Sequence, residues 1–260
     1  LKSVGYDKLI YYAGLESMKP YKNPILNHAN SLKYILTEPE EKIYMQVSDA
    51  CSEDIYGELT SSYVFEVDGK TMTQDEVRSL RESQDREERK KAYQALASVF
   101  LNTQNQIVLG QLYALVCRGS VLDVELRGYK TVMSQKNIGE EVSDNTVNIL
   151  LDTIQNNYSL YHRFLKKKAE ILGLDTLETY DIMAPYTVED NEEYSFEKGW
   201  KLYIDTIKNV DSKLAEFSQE MLDNGRISVY PYPGKTGGAF AQYSKSLPEF
   251  VLLNWTNTYS

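Results

Sequence analysis

The chain has 260 residues, 42% hydrophobic and 25% charged, ordinary proportions for a soluble globular protein with a sizeable core. Its 28 Lys and Arg against 38 Asp and Glu leave a net charge of −10. That balance argues against a nucleic-acid surface or an anionic membrane as partner, because both call for clustered cations.

Most of the sequence has helical periodicity, so the expected class is mainly α (α+β). Residues 5–18 and 25–36 carry apolar residues at helical spacing. Thr37-Glu-Pro-Glu40 has the form of a capping box with proline in the first turn, opening a helix to about Leu59. The period then switches. Residues 63–73 predict a β-hairpin, with Asp68-Gly69 suited to a type I′ turn. Thr73-Gln-Asp-Glu76 reads as a second capping box. The mixed charge run from Arg81 to Lys91 fits a solvated helix face or a junction between subdomains.

Three long helices are expected next. The first has the stripe Ala92, Leu96, Val99, Thr103, Ile107, Gly110, Ala114 and Cys117. After a loop over 137–144, the second runs from Val147 to Leu172, with Gly173 at its C′ position. Residues 177–183 read as a strand ended by Pro185. Ser195 is the expected N-cap of the third, whose stripe runs from Phe196 through Trp200, Val210 and Phe217 to Met221. Past Gly225 the residues 226–230, 237–243 and 250–255 read as three strands. The tail is thus a small sheet following a helical body.

No complete catalytic constellation is present. The sequence contains two histidines, His28 and His162, and neither begins a His-Glu-x-x-His motif. A zinc site needs about four ligands, and two isolated histidines do not supply it, so both are read as structural or surface residues. No metal-binding and no catalytic residue is assigned. Cys51 and Cys117 form no CxxC pair and are read as buried free thiols, in keeping with a reducing compartment. Gly234, Gly237 and Gly238 do not follow a strand and open a helix, so they are not a phosphate loop. Acidic pairs such as Glu87-Glu88 and Glu140-Glu141 suit helix starts and loops. No apolar run approaches the ~18 residues of a membrane-spanning helix. No signal peptide is visible, and the opening LKSVGYDKL, without an initiator methionine, reads as part of something longer.

Several stretches, in order, resemble the oligoendopeptidase F branch of the M3 family of zinc metallopeptidases. They are Val64–Lys70, Arg81–Tyr93, Arg127-Gly-Tyr129, Leu172-Gly-Leu174, Tyr180–Pro185, Lys235-Thr-Gly-Gly-Ala-Phe240 and Val251-Leu-Leu-Asn-Trp255. The resemblance implies a helical N-terminal domain over 1–85 and the first part of the catalytic domain over 86–260. It implies hydrolysis of short oligopeptides in the cytoplasm by a longer, zinc-dependent parent enzyme. In the family a helix bearing the zinc motif follows the Leu-Leu-Asn-Trp strand. The sequence stops at Ser260, so the chain alone is expected to be inactive and to bind no catalytic cofactor. Gly237, Gly238, Ala239 and Phe240 match the family's strand beside the zinc cleft and are the candidate substrate-binding residues. An extended peptide can pair with such an edge. The same glycines equally fit a tight turn and bulge. A homodimer through exposed apolar surface is a further expectation. The alternative to a peptidase fragment is a non-catalytic peptide-binding or helical interaction module.

Overall fold

The computed structural model describes residues 4–49, 54–185, 194–243 and 247–256. The described residues are mainly helical, with a two-stranded hairpin and a three-stranded sheet, as the periodicity predicts. The chain divides into two compact units, Leu1–Glu53 with Leu109–His162, and Asp54–Val108 with Arg163–Ser260.

In the first unit, helix α1 (Tyr6–Ala13) is followed by a 3-10 turn, α2 (Lys22–Ser31), another 3-10 turn and α3 (Glu38–Asp49). The Glu40 carboxylate accepts the Thr37 N–H at 2.8 Å, which fixes the entry to α3. The predicted continuation of this helix to Leu59 crosses positions outside the described residues, as does Cys51. A separate helix α4 (Asp54–Ser61) follows in the second unit.

The second unit holds the main cluster of buried apolar side chains. Strands β1 (Phe65–Val67) and β2 (Lys70–Met72) pair antiparallel. Asp68 and Gly69 both take positive φ, 52° and 76°, the geometry of the type I′ turn that the Asp-Gly pair predicts. α5 (Gln74–Ser79) opens on the complete Thr73–Glu76 capping box. α6 (Arg86–Phe100) then covers the hairpin. Phe65 and Val77 are fully buried against Ala92 and Ala95 of α6, and burial of a side chain such as Phe65 contributes about 1.5–3 kcal/mol.

All three predicted long helices are broken in two, each at an asparagine. α6 stops at Phe100, and α7 spans Thr103–Arg127. Between them Asn102 accepts the Gln104 N–H at 3.0 Å, a capping bond that competes with a continuous helix. The expected buried stripe therefore covers α6 only. Ile107 is 54% exposed and Cys117 is an exposed free thiol, which corrects the reading of that cysteine as buried. α7 also has the length and mean hydropathy (1.5) of a membrane-crossing helix. A count of unbroken apolar runs missed this because Gln106, Gln111 and Arg118 interrupt it.

After α8 (Val132–Gly139), which occupies the start of the predicted 137–144 loop, come α9 (Asp144–Asn156) and α10 (Tyr158–Ile171). They are separated by Asn157, whose side chain donates to Thr153 O at 2.7 Å. α11 (Phe196–Lys208) and α12 (Ser212–Asp223) form an antiparallel pair. Asp211 caps α12, accepting the Lys213 and Leu214 N–H groups. Val210, expected in the buried stripe, sits at the bend and is 82% exposed. Ser195 caps α11 and Gly173 ends α10 with φ 66°, both as predicted.

The expected strand at 177–183 is instead a 3-10 turn at Thr179–Asp181. The Asp181 carboxylate folds back to accept the Glu178 N–H at 3.0 Å, and Arg86 and Arg89 of α6 grip the same group. The charge run is thus more than a solvated face, because Arg89 is buried.

The tail forms β3 (Ile227–Ser228), β4 (Phe240–Gln242) and β5 (Phe250–Leu252), in the order β3-β5-β4. β3 runs parallel to the central β5 and β4 antiparallel to it.

Candidate functional site

The stretch from Tyr230 to Phe240 builds the candidate site. Pro231 and Pro233 lack the N–H groups that a ladder needs, so β3 cannot extend and the chain loops out. Gly234 takes φ 86° and donates its N–H to Ser61 O of α4 at 3.1 Å. The next side chain, Lys235, turns inward and is 7% exposed. Its ammonium donates to the carbonyls of Tyr230 at 2.7 Å, Leu253 at 2.5 Å and Ser228 at 3.3 Å. One cation therefore ties the loop to the chain on both sides of the β3–β5 pair. Burial pushes this ammonium below its ordinary pKa, and the Asp75 carboxylate acts the other way.

Gly237 and Gly238 follow. A Cβ at Gly237 would stand 3.1 Å from Asp75 Oδ2, closer than ordinary contact. Gly238 takes φ 78° and donates its N–H to the same oxygen at 3.2 Å. From the other side, Asn254 Nδ2 donates to Thr236 O at 2.9 Å and to Gly238 O at 2.8 Å. The glycine turn is thus held between a carboxylate in the first turn of α5 and an amide just past β5. A Cβ at Gly237 would press the Asp75 carboxylate aside, and the positive φ of Gly238 favours glycine.

Ala239 is exposed and leads into β4, whose residues Phe240, Ala241 and Gln242 are exposed along the whole strand. Register places Phe240 opposite Leu252 and Gln242 opposite Phe250. β4 is the edge of its sheet, and among the described residues no strand pairs with its outer side. The four sequence-predicted residues therefore lie consecutively as a pinned turn and the start of an edge strand. Both readings left open by the sequence, a glycine turn and an edge strand, describe adjacent parts of this segment.

Beside the turn is a cavity of about 340 Å³, lined among others by Tyr56, Tyr63, Arg78, Tyr232, Lys235 and Gly237. Sequence reasoning missed its wall. Asp75 carries no mark beyond its place in a capping box, and it meets Gly238 across a separation of 163 positions.

The histidines are elsewhere, His28 on α2 and His162 on α10. Among the described residues no group of His, Cys, Asp and Glu is arranged to hold a metal ion. The donors described in this chain do not fit the zinc site that the resemblance implies for a longer enzyme.

The sequence profile of peptidase family M3 matches residues 79–260. Oligopeptidase PepF of Bacillus subtilis is 24% identical over 259 residues, covering 93% of this chain and 37% of its own. An oligoendopeptidase F homologue of Lactococcus lactis is 30% identical over 191 residues, covering 69% of this chain and 30% of its own. This chain therefore spans about a third of the length of the curated relatives it matches. Among solved structures, Pz peptidase A with an inhibitor superposes with a TM-score of 0.78 at 16% identity, covering 99% of this chain and 47% of its own. Oligoendopeptidase F from Enterococcus faecium gives 0.59 at 18% identity, covering 82% and 46%. These structural likenesses speak to fold.

Proposed function

Because this chain belongs to peptidase family M3, we propose that it forms the substrate-side wall of an oligoendopeptidase F-type zinc metalloendopeptidase that hydrolyses short peptides. The observation that carries this reading is the pinned Gly237-Gly238 turn running into the exposed edge strand β4. An extended peptide adds to such an edge through main-chain hydrogen bonds. The glycines let its backbone approach without a Cβ in the way. Gly237, Gly238, Ala239 and Phe240 are the residues assigned to that contact. The names of the relatives, oligopeptidase and oligoendopeptidase, support short peptides as the substrate class.

The proposal extends to organisation and location. Residues 86–260 are assigned to the N-terminal part of the catalytic domain and 1–85 to the helical domain before it. The start of the family match at residue 79 supports this division. A cytoplasmic site of action follows from the resemblance.

These 260 residues contain no His-Glu-x-x-His. The pure chain is therefore expected to bind no catalytic zinc and to cleave no fluorogenic peptide with or without added zinc. Zinc-dependent turnover would refute this. Backbone amide shifts at Phe240–Gln242 on titration with short peptides test the edge directly, and unchanged shifts would remove it as the substrate contact.

The same absence of the zinc motif favours one alternative, a non-catalytic peptide-binding or helical interaction module. The reading frame beyond the codon for Ser260 separates the two. A His-Glu-x-x-His in the following segment upholds the peptidase, and a stop codon upholds the module.

A further inference from the structure

The cavity beside Gly237 has a chemistry that main-chain pairing at β4 does not use. Two cations line it, Arg78 and Lys235, against one carboxylate, Asp75. That carboxylate already accepts the Gly238 N–H. Lys235 spends its donors on three carbonyls. Arg78 is exposed and meets no carboxylate among the described residues. Its Nε and Nη2 donate to the side-chain oxygen of Gln74 once that amide is turned to suit, which leaves Nη1 for a ligand. Tyr63 also lines the cavity, and its hydroxyl is buried without any hydrogen-bond partner. A buried hydroxyl without a partner costs free energy that a bound acceptor would return. The cavity thus offers a guanidinium that meets no carboxylate, beside a tyrosine hydroxyl left without a hydrogen bond. Because Gly237 forms part of its wall, a peptide lying along β4 and the glycine turn is carried to its mouth.

We propose that this cavity is a carboxylate pocket, in which Arg78 and Tyr63 receive an acidic group of a peptide held along β4. The proposal rests on the reading of β4 as a peptide-binding edge. The acidic group is either the C-terminal carboxylate or an acidic side chain. A charge-assisted bond to Arg78 is the main source of affinity, and Tyr63 adds a neutral donor.

The test uses the 260-residue protein and one N-acetylated alanine-rich peptide in three forms: free C-terminal acid, C-terminal amide, and amide with an internal glutamate. Binding is followed by backbone amide shifts at Gly237 and Phe240. The acid form, the glutamate form or both should bind about tenfold more tightly than the plain amide, and which form gains identifies the source of the carboxylate. Arg78→Gln should abolish the preference and leave affinity for the plain amide unchanged. Tyr63→Phe should reduce the preference a few-fold, with thermal midpoints confirming that both variants fold. Equal binding of all three forms overturns the carboxylate pocket and leaves the β4 edge standing. If no form binds, the edge reading fails, and propionate alone then decides the pocket. Propionate-induced shifts at the Gly237 and Tyr63 amides that vanish in Arg78→Gln uphold it, and no shift overturns it.

Discussion

Arg89 Nη2 and Asp181 Oδ1 meet at 3.0 Å with side chains only 4% and 0% exposed. Every other donor interaction of Arg89 is also internal. Nη1 donates to Ser83 O at 2.8 Å and Gln84 O at 3.1 Å, and Nε to Tyr180 O at 3.2 Å. Arg86 adds a bond to Asp181 Oδ2 at 2.9 Å. One carboxylate thus joins the start of α6 to a turn about ninety positions later. Removing one member of a buried pair leaves the other charge without compensation, at a cost of about 3–5 kcal/mol. Asp181→Ala should therefore lower unfolding stability by that amount in urea titrations. A loss below about 1 kcal/mol, the level of a surface pair, would show that this link is not structural.

The same carboxylate gives a pH dependence. Burial pushes the Asp181 carboxyl up, but the donors of Arg86, Glu178 N–H and Arg89 outweigh it and hold the pKa at about 2. The unfolded carboxyl titrates near ~3.9. Between those values the unfolded state binds more protons, so stability falls as pH falls. The contribution, about 2–3 kcal/mol, is complete above about pH 4 and is lost on approach to pH 2. Stability of wild type and Asp181→Asn measured across this window should converge as acid is added. Parallel curves would mean that another group controls the acid limb.

Local signals were legible in the sequence, while long-range partners were not. The Asp68-Gly69 turn, the Thr73 capping box, the Ser195 cap and the Gly173 terminus each depend on neighbours within a few positions, and each is present. The helix breaks at Asn102, Asn157 and Asn209 were missed because the apolar period passes through them undisturbed. Only the competing side-chain bonds stop the helix. The strand expected at 177–183 failed for the opposite reason. Its fate is set by Arg86 and Arg89, far away in sequence. The candidate site divides the same way. Gly237 and Gly238 stand out by composition, whereas the Asp75 carboxylate and Asn254 amide that hold them do not.

Gly199 illustrates a contact of this hidden kind. It lies inside α11, where glycine is normally costly. A Cβ there would stand 2.5 and 2.8 Å from two ring carbons of Trp255. The indole N–H donates to Tyr194 O at 2.9 Å, which fixes the ring over the start of the helix. Gly199→Ala should expel Trp255 despite improved helix propensity, with a net cost of about 1–3 kcal/mol. Red-shifted tryptophan emission, with Trp255→Phe as the control for Trp200, reports the displacement. A stabilised variant with unchanged emission would show that the ring can yield.

α7 makes a prediction about association. Tyr113, Val121 and Leu126 are 71%, 49% and 55% exposed along it. Large exposed apolar side chains favour association, so the 260-residue protein should form dimers that grow with concentration in sedimentation velocity. Tyr113→Lys together with Leu126→Lys should return it to monomer. A monomer at every concentration would exclude this surface as a self-contact.

Lys235 decides whether the sheet holds the candidate edge in place. Val251, Leu253 and Trp255 donate to the carbonyls of Arg226, Ser228 and Val229, continuing the parallel pairing of β3 and β5. That pairing is short, and short parallel ladders are weak. The ammonium of Lys235 spans it, bonding Ser228 O and Leu253 O together with Tyr230 O in the loop. Lys235→Met keeps much of the stem and removes the donors. A buried carbonyl left without a donor costs about 1–3 kcal/mol, though Ser228 O keeps the Leu253 N–H. The loss should fall on the tail alone, because the hairpin core around Phe65 and Val77 makes none of these bonds. Amide exchange at Leu253 and Trp255 should therefore accelerate about tenfold or more, while Phe65 and Val67 keep their protection. Equal acceleration at both places would mean that the tail and the hairpin open as one unit. In that case Lys235 would stabilise the whole unit, with no separate control over the edge at β4.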